Sequence, residues 1–215
     1  GLVGGEILKN LKTTNNDLIL LSRKKLLCEN SINQIVIDFE NIDSLDASLK
    51  VDEIYIAIGH KLSLSELVYI KKNNRKSFVN VDYNYIKKVA EFAKKCGASS
   101  IGLISAIGAN TKSFNTYLKV KGDVEQEIKL LGCKKIIIAH PSHLLGKRAG
   151  EDIPMNVKVF EQITNLFGLL MIGPLQKFRN VEAKKVAKAI ISKMDSVEEG
   201  IHLSLIHISE PTRRL

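Results

Sequence analysis

Short apolar runs separated by stretches of helical length constrain this chain more than any other feature. Asp17–Ser22 (DLILLS), Gln34–Phe39 (QIVIDF), Glu53–Gly59 (EIYIAIG), Ile101–Ile104 and Lys134–His140 (KKIIIAH) are each bounded by polar residues. Runs of this length read as strands buried on both faces, as in parallel sheets covered by helices. Between and after them lie helical patterns. From Phe78 to Cys96, apolar residues recur at Val79, Ile86, Val89, Ala90 and Ala93 with Lys on the other face, and Gly97 supplies a stop. Asn41–Leu49 predicts a short helix, Ser63–Lys76 a polar connection, Val157–Leu170 an apolar-rich helix before a Gly173-Pro174 break, and Val181–Met194 another amphipathic helix. The alternation predicts an α/β protein with a doubly wound parallel sheet.

At 215 residues and 45% apolar composition the chain can bury one sizeable core, which predicts a single domain over residues 1–202. No run approaches the length of a membrane span, and no basic-then-apolar signal segment opens the chain. Cys28, Cys96 and Cys133 are odd in number and widely spaced, which predicts free thiols in a reducing, cytoplasmic setting. The five His lack metal-ligand spacing, so no metal site is expected. The net charge of +9 is spread over many polar faces as Lys, without an arginine-rich arm or an aromatic-interleaved stripe. It therefore reads as solvated surface, and neither nucleic acid nor membrane is expected as a partner.

The chemistry concentrates in ISAIGANTKSFNTYLKVKGDVE. Ser105 ends an apolar strand, at the carboxyl edge where open α/β sheets bind ligands. Tyr117 follows twelve residues later, and Lys121 lies four beyond it on one helical face. Ser, Tyr and Lys can thus surround one pocket. Tyr83 and Lys87 repeat the Tyr-x-x-x-Lys spacing, but Lys71 stands where a strand-end hydroxyl would be needed.

Two further stretches suit a dinucleotide. Gly1-Leu2-Val3-Gly4-Gly5 precedes an amphipathic pattern from Glu6, a glycine-rich turn opening a helix of the sort that cradles a pyrophosphate. Arg23, Lys24 and Lys25 come directly after the first apolar run. Cations at that strand end accommodate the 2′-phosphate of NADP, whereas NAD calls for an acidic residue; a solvated loop would carry the same three cations.

These residues, with GLVGGEIL, LLSRKKL, Asp38-Phe39-Glu40 and the late Phe178-Arg179-Asn180-Val181, resemble the short-chain dehydrogenase/reductases, in the atypical branch of Tat-interacting-protein-like oxidoreductases. The resemblance implies a Rossmann-like, three-layer αβα fold with strand order 3-2-1-4-5-6. Gly1 and Gly4 would be the last two glycines of a Gly-x-x-Gly-x-x-Gly turn, with Leu2 and Val3 between them, so the central first strand is expected to be missing. A gap between the Asp17–Ser22 and Glu53–Gly59 strands should follow, leaving unpaired edges and a poorly folded or aggregation-prone chain. Ser105, Tyr117 and Lys121 would be catalytic. Asp38 and Phe39 would border the adenine, and Ile58 and Gly59 would line the cofactor. His140 would stand where Arg is common beside the nicotinamide, and Asp82 where Asn is common. Residues 147–180 would form a substrate cover.

The implied reaction is NADP-dependent oxidoreduction of a small carbonyl or alcohol. Tyr117 would exchange the proton, Lys121 would lower its pKa and hold the nicotinamide ribose, and Ser105 would bind the substrate oxygen. The altered Asp82 and His140 also fit an NADP-sensing regulatory protein that reports to a protein partner. A nucleic-acid binder would show steep salt dependence. Finally, Leu203–Arg213 (LSLIHISEPTR) matches the translation of a transposase-type sequencing adapter, so residues 203–215 are expected to form a non-native tail.

Overall fold

The computed structural model describes residues 1–26, 32–142, 144–145 and 180–204. Cys28, the Val157–Leu170 helix, the Gly173-Pro174 break, most of the 147–180 cover and residues 205–215 lie outside the described residues.

The strands are parallel and fall into separate sheets. β1 (Ile19–Ser22) pairs with β2 (Asn33–Val36), Ile19 opposite Asn33. β3 (Glu53–Ile56), β4 (Ser100–Ile104), β5 (Lys135–Ala139) and β8 (Gly200–Ser204) pair in that order. A short pair joins β6 (Leu144–Leu145) to β7 (Val181–Glu182). Among the described residues no strand bonds β1 to β3. The break falls where the expected order places the absent strand, and the flanking strands do not close onto one another.

Side-chain alternation explains the three layers. From β4 and β5, Ile101, Leu103, Ile136 and Ile138 join a core with α4 (Ile86–Lys95) and α5 (Thr116–Leu130). Ile104, Ile137 and Ala139 face the other way, against α1 (Leu2–Leu11) and α6 (Ala183–Ser196). The period of two drives each strand into both cores, which is why these runs are apolar throughout. Gly97 and Gly132 end α4 and α5 at positive φ, 100° and 67°.

Several expected boundaries move. The Ser63–Lys76 connection contains α2 (Leu64–Val68) and α3 (Lys72–Val79). A capping box starts α2: Ser63 accepts from the Glu66 backbone, and Glu66 accepts from that of Ser63. Helix α3 has a polar sequence, buries Phe78, and runs through a π-helical turn (Asn80–Tyr85) into α4, so the expected Phe78–Cys96 helix begins earlier. The Asn41–Leu49 helix is instead a 3-10 helix over Phe39–Ser44, because the Asp38 carboxylate accepts from Glu40 N and ends the strand early. Val181 and Glu182 pair with β6 before α6 begins. Leu203 and Ser204, placed in the tail by sequence, belong to β8 and extend the ladder on β5.

Candidate active site

Helix α5 carries the site. Asn115 caps its N-terminus by accepting from Leu118 N, and the Asn115 amide donates to the carbonyls of Leu67 and Val68. Gly122 lets the helix lie against the loop after β4. A Cβ there would stand 2.5 Å from Asn110 C and Thr111 N, so only glycine permits the approach. The buried face of α5 combines Val120, Val124 and Ile128 with two charged residues, Lys121 and Glu125. Tyr117, Lys121 and Glu125 follow at four-residue steps and form a polar stripe, whose Glu125 meets residues that follow β4 and β5.

Lys121 is neutralised from across the site. Its Nζ lies 2.7 Å from Asp82 Oδ1, with the side chains 6% and 2% exposed. Asp82 sits on the π-helical turn, a backbone form often found at functional positions. Its second oxygen accepts the His60 N–H at 2.6 Å. Burial pushes the Lys121 ammonium down, but Asp82, Tyr117 and Glu125 together outweigh it and hold its pKa above the usual lysine value. Burial raises the pKa of Tyr117; Lys121 lowers it and Asp82 raises it, and the net direction is up. The expected lowering by Lys121 is therefore present but overridden. The Tyr117 ring is tilted against Phe78, centroids 6.0 Å apart.

Ser105 and His140 meet the same helix lower down. Ser105 follows β4 and donates its hydroxyl to Glu125 Oε1. His140 follows β5, with Nε2 2.8 Å from that same oxygen, and Lys129 Nζ lies 3.8 Å from Oε2. Ser105 and Glu125 are 5% and 4% exposed. The structure thus brings Ser105, Tyr117, Lys121 and His140 around α5 and adds Glu125. The alternative Tyr83–Lys87 pair is bound instead to Glu127, with Lys87 Nζ 2.7 Å from it, although the Tyr83 ring packs on the same Ile70–Phe78–Val120 cluster as Tyr117.

The remaining candidate residues line the rest of the carboxyl edge. Gly1 caps α1, so Leu2, Val3 and Gly4 are helical instead of lying in a turn. Gly4 packs on the end of β3, where a Cβ would stand 3.3 Å from Ala57 Cβ. The first turn of α1 has no acidic side chain, which leaves the positive end of its dipole at this edge. Arg23 and Lys24 are exposed after β1, and Arg23 Cζ is 6.0 Å from the Tyr85 ring centroid. Phe39 is buried edge-on against Tyr85. Ile58 packs on the core beside exposed Gly59, whose missing Cβ would stand 3.6 Å from Asp82 Oδ1. Among the described residues no three His, Cys, Asp or Glu side chains stand close enough to hold a metal ion, and no helix is long and apolar enough to cross a membrane.

No family model matches the chain. It is 32% identical over 155 residues to Protein HTATIP2 from Rattus norvegicus, covering 69% of this chain and 61% of that protein. It is 28% identical over 209 residues to Protein FMP52, mitochondrial, from Candida albicans, covering 94% of this chain and 86% of that protein. The chain thus spans less than two thirds of the rat relative's length. Among solved structures, an oxidoreductase of the short chain dehydrogenase/reductase family from Burkholderia thailandensis superposes with a TM-score of 0.69 at 14% identity, covering 94% of this chain and 87% of that one. MoeE5 in complex with UDP-glucuronic acid and NAD gives 0.68 at 12% identity, covering 94% and 72%. The parallel sheet flanked by helices is therefore the doubly wound α/β fold expected. The expected cytoplasmic location is corrected: the matching fungal relatives are named mitochondrial proteins, which contradicts it.

Proposed function

This chain belongs to the atypical short-chain dehydrogenase/reductases, beside HTATIP2 and FMP52, and from that premise we propose that it is an NADP-dependent oxidoreductase of a small carbonyl or alcohol. The observation that carries the reading is the polar stripe of α5: a buried, charged Lys121 one turn from Tyr117, above the strand-end Ser105.

The residues present fit the cofactor. The α1 N-terminus, Gly1 to Gly4, would hold the pyrophosphate, helped by the close packing of Gly4 on β3. Arg23 and Lys24 would hold a 2′-phosphate, which favours NADP over NAD. Asp38 and the Phe39 backbone would border the adenine, and Ile58, Gly59, Lys121 and His140 the nicotinamide side. When bound, the nicotinamide supplies or accepts the hydride. MoeE5 with NAD supports a nicotinamide cofactor in this fold.

Tyr117 holds its proton at neutral pH, because its pKa lies above the ordinary tyrosine value. In that form it can give its proton to a carbonyl oxygen as hydride arrives. Lys121, kept charged by Asp82, stabilises the phenolate that remains. Ser105 stands at the substrate oxygen.

A second reading has its own support. Lys121 is clamped to Asp82 and Ser105 to Glu125, an arrangement suited to a protein that binds NADP and reports occupancy to a partner. NADPH oxidation against a panel of aldehydes, ketones and quinones, with NADH in parallel, separates the two. Turnover faster with NADPH supports the enzyme; tight NADPH binding without turnover of any compound supports the sensor.

A further inference from the structure

Among the described residues the Tyr117 hydroxyl has no hydrogen-bond partner, so its ring is aimed by packing. The ring it meets is that of Phe78, with centroids 6.0 Å apart and planes tilted by 43°. Phe78 is fully buried and also meets the His60 ring, 6.4 Å away and 73° off parallel. His60 in turn donates its N–H to Asp82, and Asp82 pairs with Lys121. The contacts close a circuit from Tyr117 through Phe78, His60, Asp82 and Lys121, and back along one turn of α5. Two spacings match across it. Phe78 and Asp82 are four residues apart where α3 passes into the π-helical turn, and Tyr117 and Lys121 are four apart on α5. Ring meets ring on one rung, and carboxylate meets ammonium on the next. Tyr83 gives the contrast: it packs on the same apolar cluster, but its hydroxyl is bound to Glu127.

We propose that Phe78 is a positioning residue for Tyr117. Its ring sets the aim of a phenol that no hydrogen bond holds, and with Asp82 it makes one element fix both members of the proton-donating pair. Removing a fully buried ring opens space that its neighbours fill only in part, and the phenol can then swing about its side-chain bonds. Proton delivery tolerates little of this, because a misplacement of about 1 Å can cost about a hundredfold in rate. The same ring keeps water from the phenol, and burial is the largest cause of the raised Tyr117 pKa. Asp82 acts on Lys121 by charge, whereas Phe78 acts on Tyr117 by shape. The effect on turnover rests on the oxidoreductase reading; the effect on the phenol does not.

The test compares Phe78→Ala, which empties the site, with Phe78→Leu, which removes the ring but keeps an apolar filling, both in the full chain. Phe92→Ala removes a buried ring of α4 from the other apolar cluster and controls for a merely structural loss. Single-turnover NADPH oxidation with phenanthrenequinone should slow about tenfold or more in Phe78→Ala and about threefold in Phe78→Leu, while NADPH affinity stays within about twofold of the wild type. Phe92→Ala should react at the wild-type rate per folded molecule. In a second arm, phenolate absorbance is followed to alkaline pH, each protein being measured with and without Tyr117→Phe to isolate that residue. The Tyr117 midpoint should fall in Phe78→Ala, because water then reaches the phenol, and should stay in place in Phe92→Ala. If Phe78→Ala does not fold, Phe78→Leu decides both arms. An unchanged rate or an unchanged midpoint in the deciding variant overturns the positioning role, as does an equal loss of rate in Phe92→Ala. If the wild type turns over no compound, the oxidoreductase reading fails and the midpoint alone decides the role of Phe78.

Discussion

Asp82→Ala should damage stability and chemistry in ways that can be separated. Asp82 and Lys121 form a 2.7 Å pair with almost no solvent access, and Asp82 also accepts the His60 N–H at 2.6 Å. Removing the carboxylate leaves a buried ammonium without a partner, and breaking such a pair from one side costs about 3–5 kcal/mol. For a domain of this size that corresponds to a fall in Tm of roughly 6–20 °C. Set against an ordinary stability of about 5–15 kcal/mol, the variant should be close to unfolding at body temperature. Replacing Lys121 as well, in Asp82→Ala/Lys121→Met, removes the orphaned charge and should recover much of the loss. Urea unfolding of the wild type, both single variants and the double closes the cycle. Chemically, Asp82 raises the Tyr117 pKa and Lys121 lowers it. The tyrosine should therefore titrate at lower pH in folded Asp82→Ala and at higher pH in Lys121→Met. A loss below about 1 kcal/mol in Asp82→Ala, or a double variant whose cost equals the sum of the singles, would refute the buried-pair reasoning.

Arg23→Ala/Lys24→Ala should weaken NADP binding about tenfold or more while changing NAD binding little, as calorimetric titration would read; equal losses would remove the phosphate-pocket assignment. Lys121 and Tyr117 both have raised pKa values in the folded chain, so the folded state binds more protons than the unfolded one above pH ~10. Their contribution to stability is intact below that pH and is lost as pH climbs through the folded values; urea midpoints measured from neutral to strongly alkaline pH should fall there, and a flat profile would contradict the shifts. Gly122→Ala would drive a Cβ to 2.5 Å from the backbone of the 110–111 loop, and should cost about 1–3 kcal/mol in thermal unfolding.

The sequence showed the sheet well because buried parallel strands must be apolar on both faces, and Ile136, Ile137 and Ile138 satisfy both cores at once. It showed the stripe from Tyr117 to Lys121 because helical spacing is local. Glu125 continues that stripe between Val124 and Ile128; a carboxylate on an apolar face needs a partner, and that signal could have identified it. Its partners Ser105 and His140 come from separate strand ends, so the contact itself depends on tertiary packing. Asp82 was noticed by position, but its grip on Lys121 depends on a π-helical turn that residue pattern does not encode. Helix α3 was missed because KNNRK has little apolar face, and its burial rests on Phe78. The break between β1 and β3 followed from matching strand order, since no local property of either strand reveals an absent neighbour.

The central claim is that Tyr117 is the proton donor for a reduction by bound NADPH. The most direct measurement is single-turnover transfer of deuterium from NADPH labelled at C4 to a carbonyl compound, in the wild type and in Tyr117→Phe, with NADPH affinity measured alongside. The account predicts transfer in the wild type, a loss of about a hundredfold or more in Tyr117→Phe, and nearly unchanged NADPH affinity. Tyr83→Phe should match the wild type. Transfer by Tyr117→Phe at the wild-type rate would contradict the account.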